Sequence, residues 1–188
     1  MSVQPTQVQR INLFRDLSLE QCQHISNKVE MKSCDPQVDL LTEGELGDTL
    51  LLIFQGEVEV SQEIMVKTKS GFSQSRKAIV RLKTTDPTPT ADPIYEPTTF
   101  VLEEPAFAMG EYALVSEEAI RTANVTAMTP TNYGVLSFRD FSGIVDADPL
   151  IAGPVFKRVA QNAVDKVKTG NADIANLTQA FFFALSRS

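Results

Sequence analysis

Between Val38 and Ser137 the chain is a succession of short β-prone runs broken at close intervals by turn residues, which narrows the possible architectures more than any other feature. Val38–Leu41, Thr49–Phe54 and Glu57–Ser61 are separated by Gly44-Glu45-Leu46-Gly47-Asp48 and by Gln55-Gly56. Further runs lie at Ile64–Thr68, Ala78–Leu82, Thr98–Leu102, Thr122–Met128 and Asn132–Ser137. Turns this frequent predict antiparallel strands, and a succession of such strands predicts a closed roll or sandwich. Five of the ten prolines (Pro87, Pro89, Pro93, Pro97 and Pro105) fall in the stretch from about 84 to 105. Proline has no amide donor for a central ladder, so that stretch is expected to be mostly an exposed excursion.

Helical periodicity brackets the strands. Leu13, Phe14, Leu17, Leu19, Cys22, Ile25 and Val29 recur at three- and four-residue steps, and Ser18 followed by Gln21 forms a capping box. An N-terminal helical segment is therefore predicted within 11–35, followed by the β-roll over 36–137. After Ser137 a short turn around Phe138–Val145 leads to a helix with Val155, Phe156, Val159, Ala160, Ala163, Val164 and Val167 on one face. Gly170-Asn171 reads as a C-cap, after which Ile174, Leu177, Phe181, Ala184 and Leu185 make a second apolar stripe, so 138–188 is expected to hold more than one helix. With 188 residues, 43% of them hydrophobic, the whole of 1–188 is expected to form one domain, mainly β with flanking helices.

Composition removes several functions. Seventeen basic against 24 acidic residues give a net charge of −7, which disfavours direct nucleic-acid binding. Cys22 and Cys34 have no C-x-x-C spacing and read as reduced, packed thiols. The N-terminus lacks a signal-peptide pattern and the longest apolar runs are too short to span a bilayer, so a cytoplasmic protein without membrane contact is expected. His24 is the only histidine and reads as a surface or packing residue of the N-terminal helix. No metal site and no cofactor are expected, because a metal-dependent jelly-roll enzyme needs several imidazoles on its strands. Nor is there a Gly-x-Ser-x-Gly elbow, a P-loop or a Cys–His pair with reason to meet, so the chain is not expected to be an enzyme.

The informative segment is Ala108-Met109-Gly110-Glu111-Tyr112-Ala113-Leu114, followed by Arg121-Thr122-Ala123-Asn124-Val125. It resembles the phosphate-binding cassette of the cyclic nucleotide-binding domain family: Gly-Glu-x-Ala-Leu, a short spacer, then Arg-(Ser/Thr/Ala)-Ala-x-Val. Glu111 and Arg121 stand ten apart, a spacing more similar to the bacterial catabolite activator branch than to eukaryotic kinase domains. A second block from Thr42 to Val60, containing Gly44-Glu45-Leu46-Gly47-Asp48 and Gly56-Glu57-Val58-Glu59-Val60, resembles the family's strand-turn-strand segment. Leu13-Phe14-Arg15-Asp16-Leu17-Ser18 is similar to the helix that opens the domain. The segment from Ser70 to Pro105 departs from the family by its length.

The resemblance implies a double-stranded β-helix, or jelly roll, followed by C-terminal helices. It implies a ligand, cAMP or cGMP, with Arg121 on the cyclic phosphate and Glu111 on the ribose. Gly110 would let the backbone approach, Ala113 and Leu114 would present backbone amides, and Thr122 would add a hydroxyl; Tyr112 and Ala123 complete the matched positions. The chemistry fits these residue types. A guanidinium stays charged and offers paired donors to a phosphodiester, and a carboxylate accepts from a ribose 2′-hydroxyl. Asn162, Asp165, Lys166 and Thr169 on the following helix are candidates for covering the base. The implied function is a cyclic nucleotide-sensing regulatory module. It would dimerise through its C-terminal helices and act in trans on an unknown downstream protein, since no winged helix-turn-helix follows. The alternative is a ligand-free member of the fold serving as an interaction or oligomerisation module.

Overall fold

The computed structural model describes residues 2–68, 71–85, 100–115 and 119–185. Among the described residues a short helix α1 (Pro5–Gln9) and α2 (Leu19–Ser26) precede nine strands in two sheets. The strands are β1 (Glu30–Cys34), β2 (Asp39–Leu41), β3 (Thr49–Gln55), β4 (Glu57–Thr68), β5 (Gly71–Thr84), β6 (Phe100–Glu104), β7 (Phe107–Met109), β8 (Asn124–Ala127) and β9 (Thr131–Ser137). One sheet has the order β1-β9-β3-β7 and the other β2-β8-β4-β5-β6. The chain ends with α3 (Phe138–Ala147) and α4 (Ala152–Leu185). The predicted jelly roll followed by helices is the observed architecture.

Strand β3 explains how the layers assemble. Its run Leu50-Leu51-Leu52-Ile53-Phe54 is buried on both faces, and alternate residues point opposite ways along a strand. Leu50, Leu52 and Phe54 join a large core with Phe14, Ile25, Phe141, Ile151 and Val155, which lies between the first sheet and the helices. Leu51 and Ile53 join Val58, Phe107 and Val125 in a smaller core inside the roll. Phe141 of α3 meets Phe156 of α4 edge-on, with ring centroids 6.0 Å apart. Arg158 adds an ion pair from α4 to Asp16 at 2.7 Å.

Several sequence expectations need correction. The helical segment placed within 11–35 is helical only at Leu19–Ser26, where the Ser18–Gln21 capping box does form. The apolar residues Leu13, Phe14 and Leu17 before it are buried from turns, and Glu30–Cys34 is a strand. That strand carries only Met31 and Cys34 as partly covered residues, too weak a pattern to betray it. The short strand β7 was also not foreseen. Glu57–Ser61 and Ile64–Thr68 are one continuous strand, because Gln62 and Glu63 pair with β5 as their neighbours do. The strands are not all antiparallel: β6 runs parallel to β5, as a long intervening connection permits. Of the proline-rich stretch at about 84–105, residues 86–99 lie outside the described residues.

The C-terminal helices also differ. Gly170-Asn171 does not end a helix; α4 runs 34 residues without interruption. A glycine in a helix interior costs only about 1 kcal/mol against alanine, which a long helix absorbs. Val155 and Val159 are buried, but Val164, Val167, Ile174, Leu177, Phe182 and Phe183 are exposed, so the described part of the distal stripe does not join this chain's own core; the side chains of Phe181, Ala184 and Leu185 lie outside the described residues. Both cysteines are free thiols; Cys22 is fully buried and desolvation pushes its thiol up to about 11. His24 is exposed at the end of α2.

Candidate functional site

The cassette is built where β7 ends. Gly110 takes the left-handed conformation (φ 81°), turning the chain from β7 into a 3-10 turn over Glu111–Leu114. The Glu43–Asp48 connection folds over this turn's neighbour: Gly44 N–H donates to Arg121 O (2.9 Å), Arg121 N–H to Glu45 O (2.8 Å) and Gly47 N–H to Ala119 O (2.7 Å). The two sequence blocks that carry the resemblance are thus joined through their backbones. Between them runs the Arg121 side chain, and a Cβ on either Gly47 or Gly110 would overlap its guanidinium. These glycines provide the channel that aims arginine at the cleft.

Arg121 and Glu111 are both buried and line the same cleft, together with Gly110, Tyr112, Thr122 and Ala123. Leu41, Val60, Met109 and Val125 form its apolar floor and Lys166 of α4 closes one side. The cleft volume is about 90 Å³. Arg121 Nη2 donates to the backbone oxygen (2.7 Å) and hydroxyl (3.0 Å) of Thr49. Among the described residues no protein acceptor bonds its Nε or Nη1. Burial draws the guanidinium down from its ordinary value, opposed by the charges of Asp48 and Glu45. Arginine remains protonated throughout the physiological range, so the cleft holds a permanent, buried cation.

Glu111 has an internal partner. Lys166 Nζ lies 2.5 Å from its Oε1 and 5.2 Å from the centroid of the Tyr112 ring. Of the four helix residues considered for covering a base, the structure brings only Lys166 to the cleft. Asn162 and Asp165 line a different groove, beside Arg15 and Arg158, and Thr169 is exposed away from both. Ala113 and Leu114 are not among the residues that line the cleft: both are buried, and Ala113 N–H donates to Gly110 O at 3.0 Å. Thr49 and the apolar floor were missed as site residues, although the alternation in β3, β4 and β8 could have placed the floor. Nothing in the sequence marks Thr49 as the residue that steadies an arginine 72 positions away.

Among the described residues no group of three His, Cys, Asp or Glu side chains is placed to hold a metal ion. No helix among them is long and apolar enough to cross a membrane.

No family model matches the chain, and comparison with characterised protein sequences gives no match. The fold does have relatives of known structure. A cyclic nucleotide-binding domain from Methylobacillus flagellatus superposes with a TM-score of 0.63 at 23% identity, over 91% of this chain and 80% of that one. The N-terminal domain of a transcriptional regulator from Streptomyces coelicolor gives 0.61 at 19% identity, over 87% and 94%. The catabolite activator protein of Thermus thermophilus gives 0.61 at 17% identity, over 89% of this chain but 63% of its own. The chain therefore has the fold of cyclic nucleotide-binding domains and catabolite activator-like regulators.

Proposed function

We propose that this chain is a cyclic nucleotide-sensing regulatory domain, a cytoplasmic module without catalytic activity, whose ligand is cAMP or cGMP. One observation carries the reading: a buried, permanently charged guanidinium and a buried carboxylate line one cleft, floored by apolar side chains and edged by Gly110. A cyclic nucleotide offers what each wall needs: one phosphodiester charge for Arg121, a 2′-hydroxyl for Glu111 and a flat base for the apolar floor. The solved relatives include a cyclic nucleotide-binding domain, which supports the same class of ligand.

In this reading the ligand competes with two internal contacts. The phosphate takes the free edge of Arg121 while Thr49 keeps Nη2 in place. The ribose takes Glu111 from Lys166, which releases α4 from the cassette. Binding energy thereby biases the position of a 34-residue helix, the element best suited to carry a signal out of the roll. That helix also supports a homodimer. Ala160, Val167 and Ile174 repeat every seven residues, as do Ala163, Gly170 and Leu177, the pattern of a paired-helix seam. Output then passes in trans to a downstream protein.

Calorimetric titration with cAMP and with cGMP tests the proposal. Saturable binding to at least one is expected, weakened by about 1.5–3 kcal/mol in Arg121→Ala, the worth of a charge-assisted hydrogen bond. No heat with either nucleotide would reject it. A second reading, a ligand-free interaction module, is favoured by the cleft volume of about 90 Å³, since ligand sites usually offer about 300–1,000 Å³. A stable oligomer that takes up neither nucleotide would select that reading.

A further inference from the structure

The β4–β5 hairpin is longer than the sheet it belongs to. Strand β4 pairs with β8 only as far as Ser61, opposite Asn124, yet β4 and β5 remain paired out to Thr68 and Gly71. From Gln62 to Thr68 and from Gly71 to Lys77 every residue is exposed, so this arm is a two-stranded ribbon with no core on either face. It carries apolar side chains all the same: Ile64 and Val66 on one face, Met65 and Phe72 on the other, with Met65 66% and Phe72 71% exposed. A lone two-stranded ribbon is marginally stable in water, and an open strand edge is a template for further pairing.

The edge that faces away from β5 can be read residue by residue. Met128 N–H donates to Glu57 O and Glu63 N–H donates to the Glu43 carboxylate, both at 2.8 Å. Odd-numbered residues of β4 therefore turn their backbone groups toward this edge. The register shift near Val60 falls on β5, where Ile79 is the extra residue, so the alternation in β4 is unbroken. Met65 and Lys67 accordingly present N–H and C=O groups to an edge that no described strand covers.

The sequence along that edge is Glu63-Ile64-Met65-Val66-Lys67. Laid antiparallel to itself about Met65, it matches Glu63 with Lys67, Ile64 with Val66, and Met65 with its own copy. Directly opposed residues share a face in an antiparallel pair, so the two Glu–Lys pairs and the two Ile–Val pairs all form side by side. A one-residue slip in either direction loses the Glu–Lys match and turns Met65 backbone groups out of register.

From this we infer that the arm is a self-association surface whose occupant is a second copy of this chain, joined edge to edge through β4 about a two-fold axis at Met65. Met65 of each copy exchanges both backbone hydrogen bonds with the other. Lys67 N–H of each copy reaches Glu63 O of the other, and Glu63 N–H stays on Glu43. Two ribbons become one four-stranded sheet, with Met65 and Phe72 of both copies on one face and Ile64 and Val66 of both on the other. The contact is isologous and separate from α4, so the two interfaces can operate independently.

Sedimentation equilibrium of the full chain tests this with three variants at exposed positions, far-UV circular dichroism checking the fold. Lys67→Glu places carboxylates opposite each other and is expected to weaken association by about tenfold or more, halving the mass at intermediate concentration. Met65→Pro removes an amide that β5 does not use and is expected to halve it likewise. The charge swap Glu63→Lys with Lys67→Glu is expected to restore the wild-type mass. If α4 also pairs, the halving is from four chains to two; if it does not, from two to one. A wild-type protein that stays a single chain at high micromolar concentration would overturn the inference. So would a mass that Lys67→Glu and Met65→Pro leave unchanged, or a charge swap that fails to restore association.

Discussion

The core beneath the helices and the core inside the roll share strand β3 but are built on different scales. Among the described residues the first gathers nineteen buried apolar side chains, including Phe14, Ile25, Phe141 and Val155, and the second only five. The smaller core is thin where Leu41, Val60, Met109 and Val125 double as the floor of the cleft. Packing that is complete holds the fold, whereas packing that is incomplete leaves apolar surface for a guest. If the cleft takes the proposed ligand, stability and recognition are carried by opposite faces of β3, and substitutions should separate them.

The largest effect is expected in the helix-side core. Phe14 has no solvent exposure, and Phe14→Ala should cost about 3–5 kcal/mol in urea unfolding, from lost transfer energy and the cavity left behind. Should Phe14→Ala cost under about 1 kcal/mol, the division between the cores is wrong. Gly110→Ala comes next, acting on the cleft. Its Cβ meets Arg121 and Thr49 O, and its backbone is left-handed at φ 81°. About 1 kcal/mol of strain and a displaced guanidinium should follow, so nucleotide affinity should fall at least about tenfold while most of the fold's stability remains.

How much of this was legible in the sequence follows the same division. The roll announced itself because turn residues and apolar runs are local signals, and β3 was readable as a fully buried strand from its five consecutive apolar residues. The grouping of the cassette residues was legible because glycine, carboxylate and arginine stand close together in the sequence, and Arg121, Glu111, Gly110, Tyr112, Thr122 and Ala123 do line one cleft. Strand β1 and the unbroken α4 were not. Glu30–Cys34 has an exposed, polar face because it lies at a sheet edge, and Gly170 carries the same local signal whether it ends a helix or sits inside one. The pairing of Lys166 with Glu111 depends on how a distant helix lies across the roll, which no local pattern encodes.

A smaller effect tests that pairing. Lys166→Met removes the competitor for Glu111, and nucleotide affinity should rise about two- to fivefold, the scale of a partly exposed ion pair. Weaker binding in that variant would instead make Lys166 a contact to the ligand. A further effect is confined to alkaline solution. The Cys22 thiol titrates at about 11 in the folded chain, above its ordinary value of 9.0, because burial disfavours the thiolate. The stability this gives is complete below about pH 9 and is lost as pH rises through about 11, up to about 2–3 kcal/mol. In Cys22→Ala that component of the alkaline loss should be missing from unfolding curves recorded across this range.

The most direct measurement of the central claim pairs one ligand group with one side chain. Wild-type protein and Glu111→Ala are each titrated with a 3′,5′-cyclic ribonucleotide and with its 2′-deoxy analogue. A cyclic nucleotide seated on Arg121 with its ribose against Glu111 predicts that the wild type prefers the ribonucleotide and that the preference disappears in Glu111→Ala. An equal preference in both proteins, or binding by neither, would contradict it.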